Sequence, residues 1–195
     1  LGDEFLFQTM AQGNVETLNA SGVKKIVTHC PHCFNTLKNE YPQFGGNYEV
    51  IHHSELLSKL VREGKLKPQG EAAGRIVYHD SCYLGRYNDI YDSPRDVVTA
   101  IPGTTLVEAD RNREGGMCCG AGGGWFWMEE DPANRMNALR TEQLAATKPD
   151  VMATACPFCK VMVRDGVGGK DLDESIAVRD IAEMIADALA DQPSA

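Results

Sequence analysis

Two hydrophobic rhythms alternate along the chain. "EFLFQTMAQGNVETLNASG", starting at Glu4, spaces its apolar residues like one face of an amphipathic helix that ends near Gly22. "KKIVTH" is a short β-rich run. "HSELLSKLVREG" returns to helical spacing, with Ser54 as the expected N-cap and Gly64 as the stop. "GRIVYHD", "TTLVEA" and "DVMATA" are compact apolar runs of strand length. "DPANRMNALRTEQLAATK" opens with Asp131 as N-cap and Pro132 at the first helical position, a strong start signal. "RDIAEMIADALA" closes as a helix with Asp180 as its cap, and the tail "DQPSA" is expected to fray. Strands alternating with helices predict an α/β fold with short, mainly parallel sheets flanked by helices.

The pattern also repeats. "IVTHCPHCFNTLK" resembles "VMATACPFCKVMV": each is a strand followed by Cys-Pro-x-Cys and a further helix. Cys30 and Cys156 are 126 residues apart, and the same offset lays Ser54 on Asp180 and Phe5 on Asp131. The repeat is therefore expected to run without a gap. It divides the chain into the closing half of a first module (1–66), a linker (67–74) within the polar "KLKPQGEAAG", a complete second module (75–190) and a tail (191–195).

Bulk properties narrow the function. With 195 residues, 43% hydrophobic and 24% charged, the chain can bury a substantial core without disulfide staples. A net charge of −9 argues against a nucleic-acid surface. No apolar run approaches the roughly 20 residues of a membrane helix, and "LGDEFLFQTM" lacks the basic-then-apolar order of a signal peptide. The chain begins at Leu1 and is expected to be an excised piece of a longer protein. Seven cysteines without a secretion signal point to a reducing, cytoplasmic setting and to metal-binding or redox thiols.

Those cysteines are spaced in a definite way. Cys82 is followed by 35 residues, Cys118-Cys119, 36 residues, and Cys156-Pro-Phe-Cys159. Each group follows a predicted strand, and in an open α/β sheet ligands gather at the strands' C-terminal ends. A structural zinc needs four ligands, usually as close pairs, and five thiols with two adjacent overfill such a site. An iron–sulfur cluster offers several irons to thiolates, so adjacent cysteines can reach different metals. A vicinal Cys118–Cys119 disulfide switch and a zinc-stabilised interaction module remain alternatives.

The neighbours add candidates. Gly120, Gly122, Gly123 and Gly124 lack the Lys-Ser/Thr of a phosphate loop, but they allow backbone N–H groups to approach sulfur. Trp125, Phe126 and Trp127 either wall a site from water or pack in the core. Pro31 and Pro157 suit helix starts, which places a thiolate near a helix N-terminus. His79 lies three residues before Cys82, and His29 and His32 flank Cys30 and with Cys33 offer a makeshift metal site. His52 and His53 mark a strand-to-helix turn, while Arg86 and Tyr87 are candidate contacts to a substrate or partner.

The Cys-x35-CysCysGly-x36-Cys-x2-Cys pattern resembles the CCG cysteine-rich domain of heterodisulfide reductase B subunits, a family that normally carries two tandem copies. "CPHCFNTLKNEYPQFGGNYEVIHH", "YHDSCYLGRYNDIYDSPR" and "CCGAGGGWFWMEE" resemble more closely the large membrane-bound bacterial oxidoreductases related to heterodisulfide reductase. That resemblance implies tandem CCG modules and a non-cubane [4Fe–4S] cluster on Cys82, Cys118, Cys119, Cys156 and Cys159, beside Gly120. It leaves Cys30 and Cys33 as the end of an incomplete first site, with zinc as one candidate occupant. It implies relay of electrons from electron-transfer flavoprotein or a similar donor towards a quinone, or else reduction of a disulfide. It also implies further iron–sulfur or haem domains in a full-length protein attached to the cytoplasmic face of the membrane.

Overall fold

In a computed structural model, which describes residues 2–70, 74–129 and 135–189, six short strands form two wholly parallel sheets. The first pairs β1 (Lys25–Thr28) with β2 (Glu49–His52), Lys25 opposite Glu49. The second runs in the order β4-β3-β5-β6, with β3 Arg75–Tyr78, β4 Thr105–Val107, β5 Val151–Thr154 and β6 Ala177–Asp180.

Helices supply the crossovers that parallel strands require. They are α1 (Glu4–Ala20), α2 (Pro31–Asn35), α3 (His53–Arg62), α4 (Asp92–Thr99), α5 (Met136–Ala145), α6 (Pro157–Gly168) and α7 (Ile181–Asp187). Alternation along β3 and β5 divides the core between the two faces of the larger sheet. Ile76, Tyr78, Val151 and Ala153 pack with Val97 and Val98 of α4 and Ile181 and Ile185 of α7. Val77 and Met152 point the other way, onto Leu144 of α5 and Val163 and Val167 of α6. Both faces are therefore covered, as parallel sheets require. Gly166 lets α5 and α6 approach closely, since a Cβ there would stand 2.2 Å from Thr141 Oγ1. The smaller sheet docks through α3, whose Leu57 and Val61 pack onto the first of these cores.

The repeat is real but carries an insertion. Lys25 to Val151 and Cys30 to Cys156 are 126 residues apart, whereas the paired strand starts Glu49 and Ala177 are 128 apart. The expectation of a gapless repeat is thus corrected: two extra residues lie between β5 and β6. The caps shift with them. His52, not Ser54, is the N-cap of α3, and Asp180 is its counterpart on α7. Each cap forms a reciprocal box with an acid three residues on, Glu55 and Glu183. Three elements escape the sequence reading: β2, β6 and α4. Asp131 and Pro132 lie outside the described residues, and α5 is described from Met136, with Arg135 as its cap. Of the linker, 71–73 are likewise outside; Gln69 and Gly70 donate their N–H groups to Ala188 O at 3.0 and 2.9 Å. No described helix is long and apolar enough to cross a membrane.

Candidate metal centre

All three cysteine groups reach the C-terminal edge of the larger sheet. Cys82 lies in the turn after β3. Cys156 is the N-cap of α6, directly after β5, with Pro157 in the first turn and Cys159 one turn on. Cys118 and Cys119 follow β4 by a longer route through a 3₁₀ turn at Arg113–Gly115.

A buried ion pair joins these loops. Asp80 accepts from Arg95 Nη1 and Nη2 at 2.8 and 2.9 Å and from the Arg113 backbone N–H at 2.7 Å. Arg95 also binds Glu108, with Nε donating to Oε1 at 2.7 Å. The loop carrying Cys82 and the loop leading to Cys118 thus share one carboxylate. Arg86 reinforces the link by donating to Gly116 O at 2.9 Å. Sequence reasoning offered Arg86 as a substrate or partner contact; the structure directs it to backbone carbonyls instead.

Gly120 explains the third letter of the Cys-Cys-Gly motif. Its φ of +91° is left-handed, and a Cβ there would lie 2.9 Å from Met136 Cβ. Its N–H donates to Cys118 Sγ at 3.2 Å.

The thiols form a run. Cys119, Cys156 and Cys159 are buried together with Ala121 and Met162, and Phe126 packs on this group. His79 offers a ring nitrogen, with the Cys119 and Cys159 sulfurs, in a set lying within 4.8 Å of one another. Proton affinities alternate along the run. Hydrogen bonds from Cys119 and Cys82 lower Cys118 to about 2. The same contact with Cys118 pushes Cys119 up to about 12 and Cys82 well above the usual thiol range. Cys159 lowers Cys156 to about 5 against burial, and contact with Cys119 and Cys156 raises Cys159 well above its ordinary value. The five sulfurs are too close to ionise together without added positive charge. A bound metal centre supplies that charge, so the donor set fits a thiolate-held metal group.

His32 sits at one end of the run. Contact with Cys156 and then Cys30 raises it to about 9, and its Nδ1 lies 4.0 Å from Cys30 Sγ. Cys30 is lowered by His32 despite burial, while burial and the Cys30 charge raise Cys33 to about 11. Cys30 is buried and Cys33 exposed. The first module's pair therefore faces Cys156 rather than standing apart. Among the described residues, however, only His79, Cys119 and Cys159 form a set of three potential ligands within 4.8 Å.

The aromatic segment divides. Phe126 covers the sulfurs, whereas Trp125 and Trp127 are exposed, with Trp127 edge-on to Phe126 at the rim of the cleft beside His32. Tyr87 stacks on Tyr83, which leans on His32 at 4.3 Å between ring centroids. His52 and His53 lie between the modules, with His53 Nε2 3.2 Å from Asp180 Oδ1. Sequence reasoning missed Arg140, which is fully buried and donates from Nε to His79 Nδ1 at 3.1 Å. Burial and then the Arg140 charge hold His79 at about 3, so the ring is neutral. A cleft of about 550 Å³ beside Arg135 and Asp165 is lined by none of the cysteines; one of about 240 Å³ lies against His32, Phe126 and Phe158.

Comparison with known proteins adds to this geometry. The profile of the CCG cysteine-rich domain matches residues 1–38 and 76–164. The chain is 52% identical over 186 residues to the probable iron–sulfur-binding oxidoreductase FadF of Bacillus subtilis, covering 95% of this chain and 26% of that protein. It is 48% identical over 192 residues to the EtfAB:quinone oxidoreductase of Syntrophomonas wolfei, covering 95% and 27%. It is 39% identical over 183 residues to one component of the dihydromethanophenazine:CoB–CoM heterodisulfide reductase of Methanosarcina barkeri, covering 92% and 44%. The chain thus spans about a quarter of the first two relatives.

Proposed function

The chain belongs to the CCG family of cysteine-rich domains, and from that premise we propose that it is an iron–sulfur electron-transfer module of a heterodisulfide reductase-related oxidoreductase. Cys82, Cys118, Cys119, Cys156 and Cys159 would hold a [4Fe–4S] cluster, of the non-cubane type. Residues 75–190 are the complete module, and 1–66 the closing half of the one before it. The observation that carries this reading is the convergence of five thiols from three separate loops into one continuous, largely buried run.

When bound, the cluster would supply reversible one-electron chemistry that no side chain here provides. The protein's part is to hold, orient and shield. The Asp80–Arg95 pair fixes two of the three cysteine loops relative to each other. Gly120 directs its N–H at sulfur, and such hydrogen bonds tune a metal–thiolate centre. Phe126 and Met162 exclude water on the protein side. The exposed rim at Trp125, Trp127 and Tyr87 is the face on which a redox partner would approach.

The name of the EtfAB:quinone oxidoreductase relative supports a relay from a flavoprotein donor towards a quinone, and the cytoplasmic face of the membrane is the setting proposed with it. Zinc at Cys30 and Cys33 is the corresponding proposal for the incomplete first site. Reduction of a disulfide is the second reading, favoured by the heterodisulfide reductase relative. The test is to mix the anaerobically reconstituted chain with a reduced electron-transfer flavoprotein and follow visible absorption. Bleaching within the mixing time supports the relay; a chain that bleaches only with a disulfide present as turnover substrate supports the second reading. A protein carrying one zinc and no iron would overturn both.

A further inference from the structure

Arg140 is an obligate cation in an unusual place. It is 0% exposed. Its Nη1 donates to Arg111 O at 2.9 Å and to Gln143 Oε1 at 3.0 Å, its Nε donates to His79 Nδ1, and its Nη2 is buried without a partner. None of these acceptors is a carboxylate. A guanidinium does not deprotonate in a protein, and a buried charge is retained only where something of opposite sign offsets it. Asp80, the nearby acid, is already engaged by Arg95 and the Arg113 N–H. Cys159 and Cys119 also act on Arg140, and both would become thiolates on binding a metal centre.

The hydrogen bond to His79 has a chemical consequence. An arginine Nε–H can only donate, so His79 Nδ1 must accept. A neutral ring then carries its one proton on Nε2, and that atom is buried with no partner. His79 has a ring nitrogen within 4.8 Å of the Cys119 and Cys159 sulfurs, and the nitrogen that Arg140 leaves free is Nε2.

We propose that Arg140 and His79 form a built-in counter-charge and hydrogen-bond donor for the thiolate centre, with Arg140 locking His79 as an Nε2–H donor towards the Cys119 and Cys159 sulfurs. This rests on the reading that the five cysteines hold an iron–sulfur cluster. His79 is then a positioning and tuning residue and not a metal ligand. The electron comes from an external reductant, and neither residue gains or loses a proton. Reduction adds negative charge to the centre, so a fixed buried cation and an N–H donor both favour the reduced form and raise the potential.

The experiment uses the full chain, reconstituted anaerobically, as wild type, Arg140→Met, Arg140→Lys, His79→Leu and His79→Gln. Iron and sulfide are counted, and the midpoint potential is read by dithionite titration followed by electron paramagnetic resonance. Arg140→Met and His79→Leu are expected to load iron but to lower the reduced-to-oxidised ratio at fixed potential about tenfold, which is about 59 mV for one electron. Arg140→Lys and His79→Gln, which restore a cation and an N–H donor, are expected to recover part of that shift. In parallel, long-range ¹H–¹⁵N correlation spectra of the metal-free protein read the His79 tautomer, expected as Nε2–H in the wild type. If Arg140→Met does not fold, the His79→Leu and His79→Gln pair decides in the same way. Iron-loaded variants with unshifted potentials, or an Nδ1–H wild-type ring, would overturn the inference alone. A wild type that takes up no iron would overturn the function and the tuning role together.

Discussion

Replacing Asp80 tests how the cysteine loops are held in register. The carboxylate takes two bonds from Arg95 and one from the Arg113 N–H, all at 2.7 to 2.9 Å, and its side chain is only 4% exposed. Removing one partner of a buried ion pair costs about 3–5 kcal/mol, because the other charge is left uncompensated. Glu108 still binds Arg95, which moves the expected cost of Asp80→Ala towards about 3 kcal/mol, and the stranded Arg113 N–H adds about 1 kcal/mol. We therefore expect a total near 4 kcal/mol, a large share of the 5–15 kcal/mol typical of a domain. Urea denaturation of the reduced, metal-free protein measures it. Asp80→Asn keeps the shape and one acceptor and should lose about half as much, near 2 kcal/mol. The double variant Asp80→Ala/Arg95→Met removes both charges and should recover most of the loss. An Asp80→Ala midpoint unchanged within error, or a double variant no more stable than the single, would refute the argument.

Other consequences are open to the same treatment. Gly120→Ala must adopt a left-handed backbone against Met136, at an expected cost of about 2–4 kcal/mol with weakened iron uptake; a fully stable, fully loaded variant would count against the role given to Gly120. Cys156→Ala should abolish iron uptake on reconstitution, whereas Cys33→Ala, at an exposed position, should leave it intact; the opposite order in iron analysis would contradict the ligand set. Burial holds His52 at about 3, below its unfolded value of 6.5. Its contribution is complete above pH 6.5 and is lost as pH falls towards 3, at about 1.4 kcal/mol per pH unit. His52→Asn, which keeps an N-cap acceptor, should flatten that acid slope in urea melts between pH 6.5 and 4; an unchanged slope would count against it.

The sequence was most legible where burial is one-sided or complete. "RIVY" and "VMAT" are continuous apolar runs because both faces of the larger sheet are covered. "EVIH" and "AVRD" form edge strands of mostly half-buried residues, with Glu49 and Ala177 exposed, so they carry no such run. The helix Asp92–Thr99 has Pro94 in its first turn and spends Arg95 on the buried ion pair, which disguises its apolar face. The cysteine spacing pointed to one edge of a sheet. What it did not give was His32 bridging the two Cys-Pro-x-Cys loops, since that contact depends on how the modules dock. Arg140 escaped for a different reason. In "NALRTEQLA" it reads as a solvated cation on a helix, and only the packing of α5 beneath the site reveals it as buried.

The central claim is that sulfurs from three separated loops cage a multi-iron group. Iron and acid-labile sulfide, counted per chain in protein purified without oxygen, test it most directly. The account predicts about four of each. A stoichiometric zinc with neither iron nor sulfide would contradict it.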